Sequence, residues 1–270
     1  MSPLSIVALH GVADSAEQID QMTALVPSRV LTESPDVRWV FPRASQRAIS
    51  ILGGQIAHAW YDILAVYRSR LDDLGIAEAR DIVVDVVRAE REEGRRVVLV
   101  GFSQGGALAL HAGLELGAAV AGIFALAAAL PYPELVPAAG PRSPRVFVGH
   151  GRFDRRIARG LALESYRLLA ARGYDVLWRS YWCGHVVAPG AMRDLRSWLY
   201  ACEPTEAVNG RSAARAAADE EALGRGLTFA LRRAAATGVR QLLSAQTRPS
   251  RQLAEPDCGS PSLGSAPGQP

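Results

Sequence analysis

Residues Val97-Val98-Leu99-Val100-Gly101-Phe102-Ser103-Gln104-Gly105 set a G-x-S-x-G pattern directly after four continuous apolar residues, with the helix-forming run Ala107-Leu108-Ala109-Leu110 just beyond. A continuous apolar run reads as a strand buried on both faces. A chain that passes from such a strand into a helix within a few residues turns sharply, and β-carbons two positions either side of the turn would collide. Gly101 and Gly105 remove them. The residue at the apex is pushed out of the sheet, so Ser103 is a candidate nucleophile with an exposed hydroxyl. A plain strand–helix turn is the alternative that the local pattern leaves open.

The rest of the chain repeats the alternation. Leu4–Leu9 reads as a short buried strand leaving through His10-Gly11, and residues 15–26 as a helix stopped by Pro27. Residues 37–41 form a second strand ended by Pro42, and residues 42–60 read as a long irregular connection containing Gly53-Gly54. A helix over 76–93 stops at Gly94 and leads into the strand 97–100. Strands at 121–126 and 145–148, a helix at 156–171, a strand at Val176–Tyr181 and a last helix at 189–200 follow. This order predicts an α/β fold: a mostly parallel sheet with helices on both faces, occupying residues 1–201.

Beyond Cys202 the composition shifts to Ala, Arg, Ser, Gly and Pro, and residues 202–270 read as a C-terminal extension. Leu223, Leu227, Leu231, Ala235, Val239 and Leu242 recur at helical spacing within 217–245, with Arg225, Arg232, Arg233 and Arg240 on other faces. Such a stripe fits weak membrane-surface binding or self-association, and equally a marginal helix docked on the core. After residue 248 the composition is that of a disordered tail.

Composition excludes several chemistries. The chain has no lysine, so Schiff-base catalysis, a P-loop lysine and a lysine base are ruled out. A net charge of +3 over 270 residues gives no reason to expect a nucleic-acid partner. The three cysteines (Cys183, Cys202, Cys258) are scattered, without C-x-x-C, so neither a disulfide framework nor a metal site is expected. The N-terminal apolar run ends at Leu9 without a basic leader, and the longest apolar run, 118–130, is too short to cross a bilayer. The expectation is a cytoplasmic protein with no transmembrane segment.

A serine hydroxyl becomes nucleophilic only when a base takes its proton, and the base needs an orienting carboxylate. On an open α/β sheet these follow in the order Ser, Asp or Glu, His. His10 and His58 precede Ser103, His111 lies on the helix behind it, and His150 closes a strand before the candidate acid. His185, after the last strand in Cys183-Gly184-His185, is the candidate base, and Asp154, beyond the strand at 145–148, the candidate acid. Asp154 could instead cap the following helix, His185 could be a loop histidine, and Cys183 reads as a small buried hydrophobe. A developing oxyanion needs donors. The backbone N–H groups of Gln104, at the start of a helix, and of Val12, in the His10-Gly11-Val12 exit of the first strand, are the candidates.

With these residues placed, the chain resembles the acyl-protein thioesterase/carboxylesterase (phospholipase/carboxylesterase) family of α/β-hydrolases. The resemblance rests on Leu9-His10-Gly11-Val12-Ala13-Asp14-Ser15, Phe41-Pro42-Arg43-Ala44 continuing to Ala59-Trp60-Tyr61-Asp62, Gly101-Phe102-Ser103-Gln104-Gly105-Gly106, His150-Gly151-Arg152-Phe153-Asp154 and Gly184-His185. It implies a hydrolase without a lid domain, cleaving carboxylic esters or acyl thioesters without a metal or other cofactor, on small-molecule or lipid acyl substrates. Trp60, Tyr61 and the stretch 49–52 would line an acyl pocket, although aromatic and aliphatic residues there could equally be core. Arg155-Arg156 stand where such proteins carry apolar residues or proline. Two further readings are a catalytically silent binding protein on the same scaffold and a dienelactone-hydrolase-like esterase; in the latter a cysteine often takes the position that Ser103 holds here.

Overall fold

The computed structural model describes residues 3–13, 37–65 and 71–201. The expected helix at 15–26 and the stripe within 217–245 lie outside the described residues.

Six strands form one parallel sheet. They are β1 (Leu4–Leu9), β2 (Val37–Val40), β5 (Arg96–Phe102), β6 (Gly122–Leu126), β7 (Arg145–Gly151) and β8 (Val176–Tyr181), in the order β2-β1-β5-β6-β7-β8. The apolar runs explain this: Val97, Val98 and Leu99 are fully buried, as strands covered on both faces require. Parallel neighbours need crossovers: helix α2 (Gln104–Leu116) joins β5 to β6 and α3 (Arg159–Ala171) joins β7 to β8, while β6 reaches β7 through a connection with a single 3₁₀ turn. Helix α1 (Asp73–Glu92) leads into β5, and α4 (Pro189–Ala201) follows β8.

Side-chain alternation assigns the faces. Ile6, Val98, Val100, Phe124, Leu126 and Phe147 pack with Leu195, Trp198 and Leu199 of α4 on one face. There the Phe124 and Phe147 rings stack at 4.1 Å, with Trp198 edge-on to Phe124 at 5.5 Å. On the opposite face α2 approaches so closely that a β-carbon on Gly113 would lie 2.6 Å from Ile123 Cδ1.

The sheet order places the site. From β1 the chain moves outward to β2, then returns to β5 and builds outward on the other side. β1 and β5 are therefore the topological switch point, where loops leaving the carboxyl ends diverge and open a crevice. The loops that leave there carry His10-Gly11-Val12 and Ser103.

Three local expectations change. Residues 42–60 are not irregular: β3 (Gln46–Ile49) and β4 (Gln55–His58) pair antiparallel around a 3₁₀ turn, with Gly53 and Gly54 at φ +69° and +84°. Helix α1 starts at Asp73 rather than 76, because Asp72 caps it by accepting from the Gly75 N–H at 3.0 Å. Helix α3 starts at Arg159 rather than 156. The amides of Arg156 and Ile157 are held instead by the Asp154 carboxylate, at 2.9 and 3.0 Å, in a turn that delays the helix.

Candidate active site

Ser103 occupies the sharp turn between β5 and α2 with φ 55° and ψ −119°, a conformation that L-residues rarely adopt. Strain of this kind costs about 1–3 kcal/mol and persists only where surroundings impose it. Here they do. The Ser103 N–H donates to Leu126 O at 2.8 Å, and the start of α2 presses against β1 and β5. A β-carbon on Gly105 would lie 2.2 Å from Leu9 O, and one on Gly101 would lie 2.2 Å from Gly105 O.

The three side chains expected to act together are brought together. His185 Nε2 lies 2.8 Å from Ser103 Oγ, and His185 Nδ1 lies 2.8 Å from Asp154 Oδ2. The Phe102 ring packs against the His185 imidazole at 5.0 Å. Backbone bonds tie the acid loop to the base loop: Arg152 N–H donates to Tyr181 O at 2.8 Å and Phe153 N–H to Cys183 O at 3.0 Å.

The Asp154 side chain is fully buried. Burial alone would push its carboxyl pKa up, but hydrogen bonds from His185 and from the Ile157 and Arg156 amides outweigh it, and the carboxyl stays below the usual range. With His185 Nδ1–H donating to an ionised Asp154, Nε2 is left as the lone-pair nitrogen facing the serine hydroxyl. His150, on β7, also reaches Asp154: its Nε2 lies 3.3 Å from Oδ2 and 3.0 Å from Ile157 O. Burial holds the His150 imidazole below its ordinary pKa, so it is neutral.

The β1 exit lies directly against the nucleophile, since a β-carbon on Gly11 would sit 3.2 Å from Ser103 Cβ. Val12 packs on Ile49, Ala57 and Ala59 of the hairpin, and Ala13 and His58 exchange backbone hydrogen bonds at 3.0 and 2.8 Å. The Gln104 amide is the first of α2, and a first-turn N–H has no carbonyl one turn behind it.

Two residues that sequence reading assigned no structural task hold this arrangement. His10 Nε2 accepts from the Ala44 N–H at 3.0 Å, so its proton sits on Nδ1 and goes to Gly11 O at 2.5 Å. Its desolvated ring stays below the ordinary histidine pKa. The Gln104 side chain clamps the 60–61 backbone, accepting from the Trp60 N–H at 2.8 Å and donating to Tyr61 O at 2.7 Å. Trp60 is only 2% exposed; its Nε1–H donates to His10 O at 2.8 Å and its ring packs on His10 at 5.0 Å. Through these contacts it braces the exit of β1. Tyr61 is half-buried. Ile51 and Leu52, at the hairpin turn, are 41% and 49% exposed, whereas Ile49 is core.

The surroundings of Cys183 leave it protonated, since burial and then Asp154 push its thiol pKa up. Among the described residues no helix is long and apolar enough to cross a membrane.

A family model described as Phospholipase/Carboxylesterase matches residues 4–203. Acyl-protein thioesterase 1 of Neurospora crassa is 29% identical over 191 residues, covering 66% of this chain and 77% of that protein. Acyl-protein thioesterase 1 of Gibberella zeae is 28% identical over 211 residues, covering 72% and 88%. Among solved structures, acyl-protein thioesterase 2 of Zea mays superposes with a TM-score of 0.64 at 24% identity, covering 75% of this chain and 94% of that one. SOBER1 of Arabidopsis thaliana gives 0.65 at 22% identity, covering 74% and 99%. These structural likenesses establish the shared α/β-hydrolase fold.

Proposed function

The chain belongs to the phospholipase/carboxylesterase family, and on that premise we propose that it hydrolyses acyl esters or thioesters through a covalent acyl-enzyme on Ser103. The observation that carries the reading is the unbroken relay Ser103 Oγ–His185 Nε2 and His185 Nδ1–Asp154 Oδ2, each step 2.8 Å, ending on a strained turn at the switch point.

Ser103 Oγ attacks the acyl carbonyl carbon as His185 Nε2 takes its proton. Asp154 holds the imidazole in register and stabilises the imidazolium that forms. The carbonyl oxygen, now negative, is held by the backbone N–H groups of Gln104 and Val12. His185 returns its proton to the departing alcohol or thiol, and the acyl group stays on Ser103. A water molecule then gives a proton to His185 and attacks the acyl carbon, releasing the carboxylic acid and restoring the serine. No lysine, metal or organic cofactor takes part in these steps.

The substrate is a small-molecule or lipid acyl ester or thioester. Tyr61, Ile51 and Leu52 offer its acyl chain apolar surface beside the site. The relatives' names favour thioesters, and the family description favours esters. Cytoplasmic placement and weak surface or self-association through residues 217–245 complete the reading. Deleting 204–270 without any change in vesicle binding or sedimentation would remove the association.

The test of the chemistry is Ser103→Ala, which is expected to abolish p-nitrophenyl ester hydrolysis and fluorophosphonate labelling. A wild-type protein that fails to label would favour the silent binding protein instead.

A further inference from the structure

His150 is a side chain in contact with the proposed relay to which none of these steps assigns a task. Its side chain is completely buried, and Nε2 faces two acceptors, Ile157 O at 3.0 Å and Asp154 Oδ2 at 3.3 Å. A nitrogen between two acceptors must carry the hydrogen, so the proton is on Nε2 and Nδ1 keeps its lone pair. Nδ1 is buried and has no hydrogen-bond partner among the described residues. An unmet buried acceptor is a cost that an apolar ring of the same shape would avoid. The compensation lies on the other nitrogen.

The donors around Asp154 show what that nitrogen does. Oδ1 accepts the Arg156 and Ile157 amides at 2.9 and 3.0 Å, which are backbone bonds present whatever the side chains. Oδ2, the oxygen that acts on His185, has His185 Nδ1 at 2.8 Å and His150 Nε2 at 3.3 Å. We propose that His150 is a positioning residue: its neutral Nε2–H, shared between Ile157 O and Asp154 Oδ2, stops the carboxylate from rotating about its Cβ–Cγ bond and disperses charge on the oxygen that orients His185.

Burial is the largest influence on His150 and disfavours its charged form; of the titratable groups around it, Asp154 favours that form, whereas His185 and Arg159 of α3 oppose it. His150 therefore works as a neutral donor and does not compete with His185 as a base. Removing its N–H concentrates negative charge on Oδ2, which favours the imidazolium form of His185. The acidic limb of activity then moves to higher pH, and a freer carboxylate lowers kcat. KM changes little, because His150 is buried away from the substrate.

This inference rests on the triad proposed above. The experiment compares wild type, His150→Phe, His150→Gln and His150→Asn in kcat, KM and the pH dependence of kcat/KM on a p-nitrophenyl ester. A Gln amide nitrogen reaches roughly where Nε2 stands, whereas an Asn amide falls short at the Nδ1 position. The Phe and Asn variants are expected to lose about tenfold in kcat, as losses of outer-shell partners commonly do, with KM within about twofold. Their acidic limb moves upward, and Gln restores both kcat and the wild-type limb. An unmoved limb with undiminished kcat in Phe and Asn overturns the proposal. Equal losses in Phe, Asn and Gln with the limb in place also overturn it, by showing a packing role alone. If Phe does not fold, the contrast between Gln and Asn decides by the same criteria. Ser103→Ala retaining activity would remove the triad itself, whereas an inactive Ser103→Ala with an indifferent His150→Phe removes this inference alone.

Discussion

Replacing Gln104 by Leu separates what its side chain does from what its backbone does. The side chain accepts from the Trp60 N–H at 2.8 Å and donates to Tyr61 O at 2.7 Å; the residue-104 amide, the proposed oxyanion donor, survives any substitution except proline. Leucine is close in size and at least as good a helix former, so packing and propensity change little. The loss is then the two hydrogen bonds. The Trp60 amide is buried and left without a partner, which costs about 1–3 kcal/mol, while the half-buried Tyr61 carbonyl is met partly by water and costs about 0.5–1.5 kcal/mol. The sum is roughly 1.5–4.5 kcal/mol, or a fall in Tm of roughly 3–18 °C for a domain of this size. Chemical denaturation and thermal melting measure it, with kcat determined well below the new Tm. The folded variant is expected to keep kcat within about tenfold of wild type, because the oxyanion donors are backbone groups. A destabilisation below about 0.5 kcal/mol would show that the clamp does not hold residues 60–61. A collapse of kcat at unchanged stability would refute the separation of scaffold from donors.

Three further outcomes follow from the same structure. Trp60→Phe keeps an aromatic ring but removes the donor to His10 O, and is expected to cost about 1–2 kcal/mol and to lower kcat with KM nearly unchanged; a rise in KM specific to long acyl chains would place Trp60 in the pocket wall. Glu90 is buried against Arg38, Ser5 and Arg95; burial raises its carboxyl pKa, but the Arg38 and Ser5 hydrogen bonds outweigh this and hold it below its ordinary 4.5. A group depressed on folding stabilises fully above its unfolded pKa and loses that contribution as pH falls through the folded one. Glu90→Gln is therefore expected to flatten the loss of stability below about pH 4.5, and an acid unfolding curve parallel to wild type would contradict it. Arg155 and Arg156 are exposed beside Asp154, and among the described residues neither pairs with a carboxylate. Reversing both to Glu is expected to lower kcat/KM severalfold for an ester with an anionic leaving group but not for a neutral one, with the difference fading in high salt; equal effects on both substrates would refute it.

Most of the sheet was legible because buried parallel strands write themselves as largely apolar runs, such as those of β5 and β6, whereas the edge strand β8 (Val176–Tyr181) carries exposed Arg179 and Ser180. The proposed triad was legible for a topological reason: each member follows a strand, and chain order alone separated His185 from the other histidines. The β3–β4 hairpin was not, because Gln46-Arg47-Ala48-Ile49 has little strand propensity of its own. Its pairing depends on β4 and on the distant Ala13–His58 bridge, with Gly53-Gly54 as the one local signal. The tasks of His10, Gln104 and His150 were equally hidden. Each rests on a contact between segments distant in sequence or on an assembled loop, the His10 and Gln104 hydrogen bonds and the approach of His150 to Asp154, and no periodicity records such a contact. The role of Trp60 stayed open for a related reason, since an aromatic residue near a site looks the same in sequence whether it faces substrate or supports a loop.

The most direct measurement of the central claim is mass spectrometric mapping of a fluorophosphonate adduct on the wild-type protein and on Ser103→Ala, with ester hydrolysis followed on the same samples. The account predicts one adduct, on the peptide containing Ser103, and neither adduct nor hydrolysis in the variant. An adduct on another residue, or hydrolysis undiminished in Ser103→Ala, would contradict it.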